Sequence, residues 1–577
     1  MGGIFLNPEG NNAFTEILNN RISKVFVDKT GFIGETIDRL DSDSKLIAFT
    51  RPRRFGKTIM ARMLASYYSK SVDSMEMFSN LKISAYKGKK LIDNRETEVS
   101  YKTYINKFDV IYIDMNTVDT KYLTYVKGEQ VKNVADIVDF LEYQIISELK
   151  DYPLFLSILE EAQTGNTGLA DALSKIHKSL GITFVLIMDE WDLFYREYRD
   201  DGKLQKKFID LLRGLFKSSD SLESFSLVYL TGILPIKKYN SQSALNNFDE
   251  YNMLTPGGFA PYFGFTKNEV DLICEQRVCS LSRSVLKDWY DGYKIRMSIE
   301  DKVSKKRNVV DLDIYNPNSV CKAVNRNECT NYWSGTSSNE EVIRLINMNF
   351  RGIKTDITKL IDGIRVPFNS NNFQNDMVSI KDKNDILSLL VCLGYLGCIE
   401  KNNGSKLAYI PNQEIRQTLL SIVKGQKWSR RTEIVRRSEA LLNSIIKKQD
   451  GEKVAEIIQN IHNSSAVSLL DYNSEESLTY CVMTALQWST MDIYDSHREE
   501  QAGKGRIDLV YVPEYDEYPL IIIEFKYGKS AEEAIEQIKK QKYYRRYTER
   551  YRKIILVGIN YSKTTKEHQC LIESLDK

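Results

Sequence analysis

The chain has 577 residues, more than one hydrophobic core usually serves, which predicts about three or four domains. Its 80 basic and 78 acidic residues leave a net charge of +2, so the composition indicates no general attraction to polyanions. Apolar runs such as Phe184–Met188 are far shorter than the roughly 20 residues that cross a bilayer, so we expect no membrane partner.

The N-terminus and the cysteines favour an intracellular protein. The opening residues, MGGIFLNPEGNN, lack the basic and apolar regions of a secretory signal. The 8 cysteines form no Cys-x-x-Cys pair and, with 4 histidines, show no zinc spacing. We expect reduced thiols and a cytoplasmic location, or a nuclear one if the source is eukaryotic.

Apolar runs alternate with helical patterns in the first half of the chain, at residues 46–50, 109–115, 184–190 and 226–233. Buried strands separated by helices are typical of a parallel sheet with crossover connections. From about residue 246 the strand pattern fades and helical stretches follow, separated by Gly, Pro and Asn. We therefore expect an α/β region followed by a helical one.

A helix and two short strand-like runs lie between residues 381 and 412, in DKNDILSLLVCLG, YLGCIE and KLAYIP. This order predicts a winged-helix-like element, although any small α/β connector gives the same pattern. A basic, helical bridge follows. From about residue 470 the pattern is helix, strand, strand, helix, strand, which predicts a compact α/β unit.

A phosphate-binding pattern follows the first strand, in LIAFTRPRRFGKTIM. Gly56 lets the backbone approach an anion closely, and the N–H groups at a helix start face it. Lys57 can reach the β- and γ-phosphates of a nucleotide, and the Thr58 hydroxyl can ligate Mg²⁺. The predicted nucleotide-binding segment also includes the loop residues Arg53, Arg54 and Phe55.

The pattern departs from the usual G-x-x-x-x-G-K-[ST] in one place, because Arg51 stands at the first glycine. A second apolar strand ends in Asp189, suited to holding Mg²⁺ through water, and Glu190, suited to polarising the attacking water. A third strand ends with Thr231, a polar group suited to sensing the γ-phosphate. The alternative is a structural α/β domain with accidental carboxylates.

Two carboxylates and a lysine stand out in GKGRIDLVYVPEYDEYPLIIIEFKYG. Strand alternation puts Glu524 and Lys526 on one face, and a hairpin through residues 513–518 brings Asp508 beside them. Asp508 and Glu524 are hard oxygen ligands for Mg²⁺, or Mn²⁺, and Lys526 can orient water or neutralise a phosphate. These are the parts of phosphodiester hydrolysis. A plain salt-bridge cluster is the alternative.

The next helix carries Gln537, whose amide is predicted to face the scissile phosphate, with solvent exposure as the alternative. Basic residues cluster at Lys424–Arg437 and at Lys539–Lys553, the second with tyrosines interleaved. Such clusters favour nucleic-acid binding. A solvated helix face explains either cluster equally well.

The N-terminal motifs resemble the AAA-ATPase-like family, which is close to the STAND-type P-loop ATPases, over roughly residues 10–320. The motifs are FVDKTGFIGETID, FTRPRRFGKT, DEWD, TGI, FGFTKNEV, WYDGY and YNPNSV. Arginine at position 51 belongs to that family's own pattern. The resemblance implies ATP as the nucleotide and a homo-oligomer through the ATPase domain, because such ATPases often need a neighbour to complete the site.

The C-terminal motifs are similar to the PD-(D/E)xK nuclease superfamily, in particular to the domain often fused behind the AAA-ATPase-like module. The similarity covers about residues 470–577, with Ile507 where the motif's name has proline. It implies catalytic roles for Asp508, Glu524, Lys526 and Gln537. In this superfamily a glutamate on the first helix can complete the site; the candidates left open are Glu475, Glu476, Glu499 and Glu500.

We therefore predict an α/β protein in four parts. Residues 1–245 form a P-loop, parallel-sheet ATPase domain and residues 246–345 a helical lid. Residues 346–425 form the winged-helix-like element. Residues 426–577 form the helical bridge and an α/β restriction-endonuclease-like domain, with its core at about 470–577.

The predicted function is ATP binding and hydrolysis joined to a Mg²⁺-dependent nuclease that cleaves DNA, or RNA, under nucleotide control. DNA is the expected partner ahead of RNA. The alternative is a nucleotide-switched interaction or nucleic-acid-binding protein whose nuclease fold is catalytically silent. A third reading is an inert P-loop beside a working nuclease.

Overall fold

The computed structural model describes residues 4–8, 12–19, 25–71, 73–92, 95–126, 134–161, 168–236, 245–276, 279–300, 307–333, 340–348, 350–371, 373, 380–401, 405–425, 433–463, 475–491, 493–502 and 505–576. The chain divides into two compact units. The N-terminal unit takes residues 1–279, 290–328 and 368–406. The C-terminal unit takes residues 280–289, 329–367 and 407–577. The four-part division remains a prediction.

The strands, in chain order, are β1 (Leu46–Thr50), β2 (Lys87–Ile92), β3 (Arg95–Ser100), β4 (Asp109–Asp114), β5 (Phe184–Asp189), β6 (Phe225–Gly232), β7 (Asp249–Tyr251), β8 (Phe265–Thr266), β9 (Tyr293–Glu300), β10 (Arg307–Tyr315), β11 (Val366–Phe368), β12 (Gly397–Glu400), β13 (Lys406–Tyr409), β14 (Tyr494–Ala502), β15 (Gly505–Pro513), β16 (Leu520–Tyr527), β17 (Lys553–Tyr561) and β18 (His568–Asp576).

The helices are α1 (Asn12–Asn19), α2 (Gly31–Ile37), α3 (Lys57–Tyr68), α4 (Met75–Ser79), α5 (Tyr101–Tyr104), α6 (Met115–Val126), α7 (Ile137–Lys150), α8 (Pro153–Glu161), α9 (Leu169–Leu180), α10 (Leu193–Arg196), α11 (Gly202–Lys217), α12 (Ser219–Leu222), α13 (Lys267–Gln276), α14 (Arg283–Tyr290), α15 (Pro317–Arg326), α16 (Glu340–Asn347), α17 (Ile353–Ile361), α18 (Lys383–Cys392), α19 (Gln413–Gly425), α20 (Glu433–Asn443), α21 (Gly451–Asn463), α22 (Glu475–Thr490) and α23 (Ala531–Gln541). Within the described ranges, none of these helices is long and apolar enough to cross a bilayer.

The main sheet of the N-terminal unit is parallel, with strand order β4-β5-β6-β1-β7. Every residue of β1, β5 and β6 is buried, as expected for strands covered by helices on both faces. The α/β fold class with an N-terminal parallel sheet is confirmed. Because the strands run the same way, their carboxyl ends meet at one edge, where the P-loop pattern and the two carboxylates lie.

Aromatic rings fill the core on one face of this sheet. Phe49 of β1 stacks on Phe263 and on Tyr251, with ring centroids 4.9 and 5.0 Å apart. Phe32 of α2 meets Phe49 edge-on at 5.1 Å. Such pairs add to the free energy gained from burial of apolar area. The core therefore ties β1, which leads into the P-loop pattern, to α2 and to residues beyond β7.

The region predicted to be a helical lid is only partly helical, and this prediction was wrong in part. Strands β9 and β10 pair antiparallel, with Tyr293 opposite Ile314 at one end of the ladder and Glu300 opposite Arg307 at the other. Strand β10 also pairs with β8. The strands β9 and β10 alternate charged and apolar residues, KIRMSIE and NVVDLDI, without a continuous apolar run. A half-buried antiparallel strand has this alternation, which is a weaker sequence signal than the helical patterns on either side.

The predicted order of a helix and two short strands is present as α18, β12 and β13. Asp382 caps α18 by accepting hydrogen bonds from the N–H groups of Asn384 and Asp385 at 2.7 and 3.1 Å. Between β12 and β13, the Lys401 N–H donates to the Ser405 carbonyl at 2.8 Å. The winged-helix-like arrangement of these elements stays a prediction.

The C-terminal unit contains a mixed sheet with strand order β14-β15-β16-β17-β18. Strand β16 is antiparallel to β15 and parallel to β17, and α23 makes the crossover between β16 and β17. Alternation divides β16 between two faces: Ile521 and Ile523 join one apolar cluster and Leu520 and Ile522 the other. The predicted α/β unit is confirmed. The sequence reading missed β14 and β18, which are rich in polar residues.

Candidate functional sites

The loop after β1 leads into α3 through two residues with left-handed backbone. Arg54 has φ 72° and Gly56 has φ 85°. A Cβ built on Gly56 would meet no atom within 4 Å, so the backbone at the start of α3 faces open space. A helix N-terminus with its N–H groups toward such a space is suited to binding an anion.

Lys57 and Thr58 meet the first predicted carboxylate at the edge of the sheet. The Lys57 side chain is 4% exposed, and its Nζ donates to the Pro52 carbonyl at 3.1 Å. Burial lowers the pKa of Lys57, and Glu190 and Asp189 oppose that shift. Thr58 hydrogen-bonds Asp189, whose own pKa is raised to about 7, mainly by burial. The structure thus brings together a lysine, a hydroxyl and two carboxylates.

Glu190 is held by an arginine that the sequence reading did not consider. The backbone of Glu190 has φ 56°, a conformation that L-residues rarely adopt. Such conformations occur most often at functional sites. Arg196 forms ion pairs with Glu190 and, at 3.0 Å, with Asp192. Asp192 also accepts hydrogen bonds from the N–H groups of Ile233 and Leu234. The second aspartate of DEWD therefore joins β5 to the turn after β6.

Other predicted nucleotide-binding residues lie in different environments. Arg53 is half-exposed, with Nη2 4.0 Å from the Glu197 carboxylate. Phe55 is buried, so its ring is a packing group. Thr231 lies beside Asp189 in the sheet, but its hydroxyl donates to the Phe49 carbonyl at 2.9 Å. A sensing role for Thr231 would require that bond to be exchanged, and it stays a prediction.

Arg51, at the usual first glycine, is completely buried. Its Nη1 donates to the carbonyls of Thr50 and Tyr251 at 2.9 and 3.1 Å, and its guanidinium lies over the Phe263 ring. Burial lowers its pKa to about 10. Arg51 therefore fixes the end of β1 to β7 from inside the protein, while Gly56 faces the open side of the loop.

In the C-terminal unit, the three predicted residues converge at the end of β16. The Asp508 carboxylate accepts a hydrogen bond from the Phe525 N–H at 2.8 Å. Lys526 Nζ lies 3.4 Å from Glu524 Oε1 and donates to the Phe525 carbonyl at 2.9 Å. Glu524 is 1% exposed and Lys526 6%. Strand alternation and the β15–β16 pairing therefore bring the carboxylates and the lysine together, as predicted.

The environment of Glu524 fits a bound cation. Burial and then Asp508 raise the pKa of Glu524 well above its usual range, and burial also raises that of Asp508. Among the described residues, Glu524 Oε2 is buried and has no hydrogen-bond partner, which is costly for a carboxylate. Where the structure describes the chain, no three His, Cys, Asp or Glu residues form a metal-binding group. Mg²⁺ can be bound by two carboxylates together with water.

Gln537 faces Glu524 rather than solvent. Its Nε2 donates to Glu524 Oε1. This contact depends on Gly558, the neighbour of Glu524 in β17. A Cβ there would lie 2.4 Å from the Ala531 carbonyl oxygen, so only glycine lets α23 approach the sheet this closely. The sequence reading missed Gly558, although a glycine within an apolar strand is a signal of close backbone approach.

The structure separates the four candidate glutamates. Glu475, at the start of α22, lies 3.9 Å from Lys526 Nζ and acts on the pKa of Asp508. Glu476 is exposed. Glu499 accepts a hydrogen bond from Ser284 at 2.7 Å, and Glu500 accepts one from Tyr547 at 2.8 Å. Of the four, Glu475 is therefore the one that is connected to the Asp508–Glu524 pair, through Lys526.

Two family models match the chain at the places where these groups converge. The family described as "Predicted AAA-ATPase" matches residues 8–240, and the PD-(D/E)XK nuclease superfamily matches residues 474–569. The chain joins an AAA-ATPase-like domain to a PD-(D/E)XK nuclease superfamily domain. The AAA-ATPase-like match ends before residue 241, so the resemblance expected up to about residue 320 lies partly outside it.

The chain is also similar to a distant curated relative. An "Uncharacterized protein in vnfD 5'region" of Azotobacter chroococcum mcd 1 is 22% identical over 324 residues, 56% of this chain. The chain spans 52% of that relative's length. Its description names no activity, so it adds nothing about function.

Two solved structures are also similar to the chain. The Aeropyrum pernix ORC1 protein in complex with DNA is 11% identical, with 75% of this chain and 100% of that chain covered and a TM-score of 0.24. The Aeropyrum pernix ORC2 protein, in ADPNP and ADP complexes, is 12% identical, with 72% and 93% covered and a TM-score of 0.25. A likeness at these TM-scores carries no argument.

One further residue near the nuclease superfamily site was not predicted. The Arg498 side chain is 8% exposed and forms an ion pair with Asp288. Burial lowers the pKa of Arg498, and the charge of Asp508 opposes that shift. Burial raises the pKa of Asp508, and the charge of Arg498 opposes that shift. Arg498 lies on β14, a strand without an apolar run, so local sequence carried no signal for its place in the sheet.

Proposed function

We propose that the AAA-ATPase-like domain binds and hydrolyses ATP with Mg²⁺, and that the nuclease superfamily domain cleaves DNA phosphodiesters with Mg²⁺ or Mn²⁺. The observation that carries the proposal is the group around Glu524. Asp508, Lys526 and Gln537 all converge on it, and one buried carboxylate oxygen is left without a described partner. A salt-bridge cluster alone would not leave that oxygen unpaired.

In the ATPase site the chain's own residues bind and orient the phosphates. The N–H groups after Gly56 and the Lys57 ammonium bind phosphate oxygens, and Thr58 and Asp189 hold Mg²⁺. Glu190 orients the attacking water, and its ion pair with Arg196 holds the carboxylate in place. Mg²⁺, when bound, offsets the charge on the β- and γ-phosphate oxygens.

In the nuclease site Asp508 and Glu524 hold the divalent cation, which supplies Lewis-acid stabilisation of the phosphate when bound. Lys526 orients the attacking water and offsets the charge that develops on the phosphate. Gln537 positions Glu524 through its hydrogen bond. Glu475, from α22, lies 3.9 Å from Lys526 Nζ and positions that ammonium group.

Plasmid cleavage with Mg²⁺ or Mn²⁺ tests the nuclease. Asp508→Asn keeps an acceptor for the Phe525 N–H but removes the charge, and we expect it to lower the rate by at least about 100-fold. Asp516→Asn, an exposed acid in the same hairpin loop, is the matched control and is expected to leave the rate unchanged. If the wild type cleaves neither DNA nor RNA, the silent-nuclease alternative replaces this half of the proposal.

ATP hydrolysis is tested separately. We expect Lys57→Ala and Glu190→Gln to abolish turnover, whereas Lys526→Ala spares it because Lys526 belongs to the other site. Lys203→Ala, an exposed lysine of α11, controls for the loss of charge. Unchanged ATP affinity and unchanged cleavage in Lys57→Ala would contradict any nucleotide control. Sedimentation with and without ATP tests the homo-oligomer that the family resemblance implies.

A further inference from the structure

Five exposed basic residues follow α23 in the nuclease superfamily domain: Lys542, Arg545, Arg546, Arg550 and Arg552. Arg546 forms an ion pair with Glu500 at 2.8 Å. Lys542, Arg545 and Arg550 are here called the basic ridge. From Lys539 to Lys553 the sequence has one acidic residue, Glu549. Neither ATP binding nor the Asp508–Glu524 site uses the ridge. A run of exposed charge is usually a solvated surface, so the position of these residues decides whether they have a function.

Two buried tyrosines fix the position of the ridge. Tyr543 and Tyr547 are 2% and 7% exposed, and they alternate with the ridge residues along the chain. The Tyr547 hydroxyl donates to Glu500 on β14 at 2.8 Å. A Cβ built on Gly505, the first residue of β15, would lie 2.7 Å from the Tyr543 hydroxyl. The segment is therefore held against β14 and β15 and does not move as a free tail.

The same segment adjoins the candidate catalytic group. Gln537, which donates to Glu524, also hydrogen-bonds the hydroxyl of Tyr543. Lys542 immediately precedes Tyr543 in the chain, at the left-handed end of α23. A continuous set of contacts therefore leads from Glu524 through Gln537 and Tyr543 to the ridge.

The tyrosines indicate which form of nucleic acid suits the ridge. Proteins that bind single strands stack the bases on exposed aromatic rings. Tyr543 and Tyr547 are buried, and Tyr544 and Tyr551 are half-buried against an apolar cluster of the domain. The segment therefore offers charges on its outside with little aromatic surface for bases. That combination suits a duplex, whose bases are paired inside and whose phosphates are outside.

We propose that the basic ridge binds the phosphate backbone of duplex DNA and presents it to the Asp508–Glu524 site. The proposal rests on the nuclease function proposed above. Contacts of this kind carry no sequence information, so binding is independent of sequence. Its affinity falls steeply as the salt concentration rises, because the counterions that the protein displaces from the DNA gain less entropy on release.

The test is fluorescence anisotropy of the full chain with a short labelled DNA duplex, in EDTA so that no cleavage occurs. The ridge variant carries Lys542→Asn, Arg545→Gln and Arg550→Gln; asparagine is chosen because it tolerates left-handed backbone. The control variant carries Lys447→Gln, Lys448→Gln and Lys453→Gln, an equal loss of charge at exposed positions of the same unit. Thermal melting checks that both variants fold.

We expect the ridge variant to bind the duplex at least about 10-fold more weakly and to lower the salt slope by up to about 2.7, since each phosphate contact contributes about 0.9. The control variant should keep the wild-type slope. In cleavage, the ridge variant should raise KM with little change in kcat, and its Mn²⁺ affinity should equal that of the wild type.

Three outcomes contradict the proposed role of the ridge. The ridge variant could keep the wild-type affinity and slope, or the wild type could bind a single strand or an RNA duplex of the same sequence better than the DNA duplex. Cleavage by the wild type then decides the nuclease proposal separately, because that proposal fails only if no phosphodiester is cleaved. Absence of any nucleic-acid binding, with cleavage retained, also rejects the ridge.

Discussion

The ring of Phe55, in the loop that precedes Gly56, meets the ring of Tyr293 edge to face, with centroids 5.2 Å apart and an interplanar angle of 86°. Tyr293 begins β9, and its hydroxyl donates to the Gly394 carbonyl, just after α18, at 2.7 Å. The proposed phosphate-binding loop is therefore packed against a strand that is itself bonded to the predicted winged-helix-like element. Both contacts lie within the N-terminal unit.

Replacing Phe55 tests this contact. We expect Phe55→Ala to destabilise the N-terminal unit by about 3–5 kcal/mol, the usual cost of deleting a buried phenyl ring. The same substitution should also weaken ATP binding, because the loop that carries Arg54 and Gly56 loses its contact with the Tyr293 ring. Phe55→Leu, which fills much of the volume, should recover most of both losses in calorimetric unfolding and ATP titration. Wild-type ATP affinity in a folded Phe55→Ala protein would contradict the anchoring role.

Gly56 is expected to matter for ligand binding beyond its backbone conformation. Gly56→Ala places a Cβ at φ 85°, with an expected cost of about 1–2 kcal/mol in unfolding free energy. Gly181 provides the matched control, since it has φ 67° and a Cβ there would also meet nothing within 4 Å. Both variants should lose similar stability.

ATP affinity should separate the two glycine variants. A Cβ at Gly56 projects into the space where we place the phosphates, whereas Gly181 ends α9. We expect ATP affinity to fall by at least about 10-fold in Gly56→Ala and to be unchanged in Gly181→Ala. Equal ATP affinities in titration calorimetry would show that the space before α3 is not the phosphate site.

Metal binding at Glu524 should release a proton. Because burial and Asp508 raise the pKa of Glu524, the free site holds a proton at a pH where an ordinary carboxylate is ionised. A cation displaces it, so Mn²⁺ affinity should rise from about pH 6 to about pH 8. Titration calorimetry in two buffers of different ionisation enthalpy measures the protons released.

The variant Glu524→Gln should weaken Mn²⁺ binding and remove most of the proton release. Glu517→Gln, an exposed acid in the loop between β15 and β16, should change neither quantity. An Mn²⁺ affinity that does not depend on pH, with no proton released, would show that the raised pKa of Glu524 is unrelated to a metal site.

Acid should destabilise the C-terminal unit through His568. Burial lowers the pKa of His568 to about 3, and its Nδ1–H donates to Gln459 Oε1 at 2.6 Å. Between about pH 6.5 and about pH 3 the unfolded chain binds the proton that the folded chain refuses. Unfolding free energy should therefore fall with decreasing pH across that window, by up to about 1.4 kcal/mol per pH unit.

Denaturant unfolding across that window checks the prediction. His568→Leu should lose stability at neutral pH, because Gln459 loses a partner, but its stability should depend less on pH. His497 is the contrasting control, because Asp495 raises its pKa and acid does not oppose its folded state. An unchanged pH dependence in His568→Leu would assign the acid sensitivity to other groups.

The sequence by itself determined the features that depend on neighbouring residues. Strand alternation set Glu524 and Lys526 on one face, and the apolar runs located β1, β4, β5 and β6 to within about one residue. The Gly56-Lys57 pattern marked the start of α3 correctly. These signals are local because burial of a strand on both faces leaves a continuous apolar run, and a helix start needs particular backbone conformations.

The tertiary structure alone decided which distant residues meet. The sequence left four glutamates open, and folding brought Glu475 to Lys526 while Ser284 and Tyr547 engaged two of the others. Gln537 reaches Glu524 because Gly558 admits α23 to the sheet. These contacts follow from the packing of elements far apart in the chain, and the pattern within a single segment does not encode that packing.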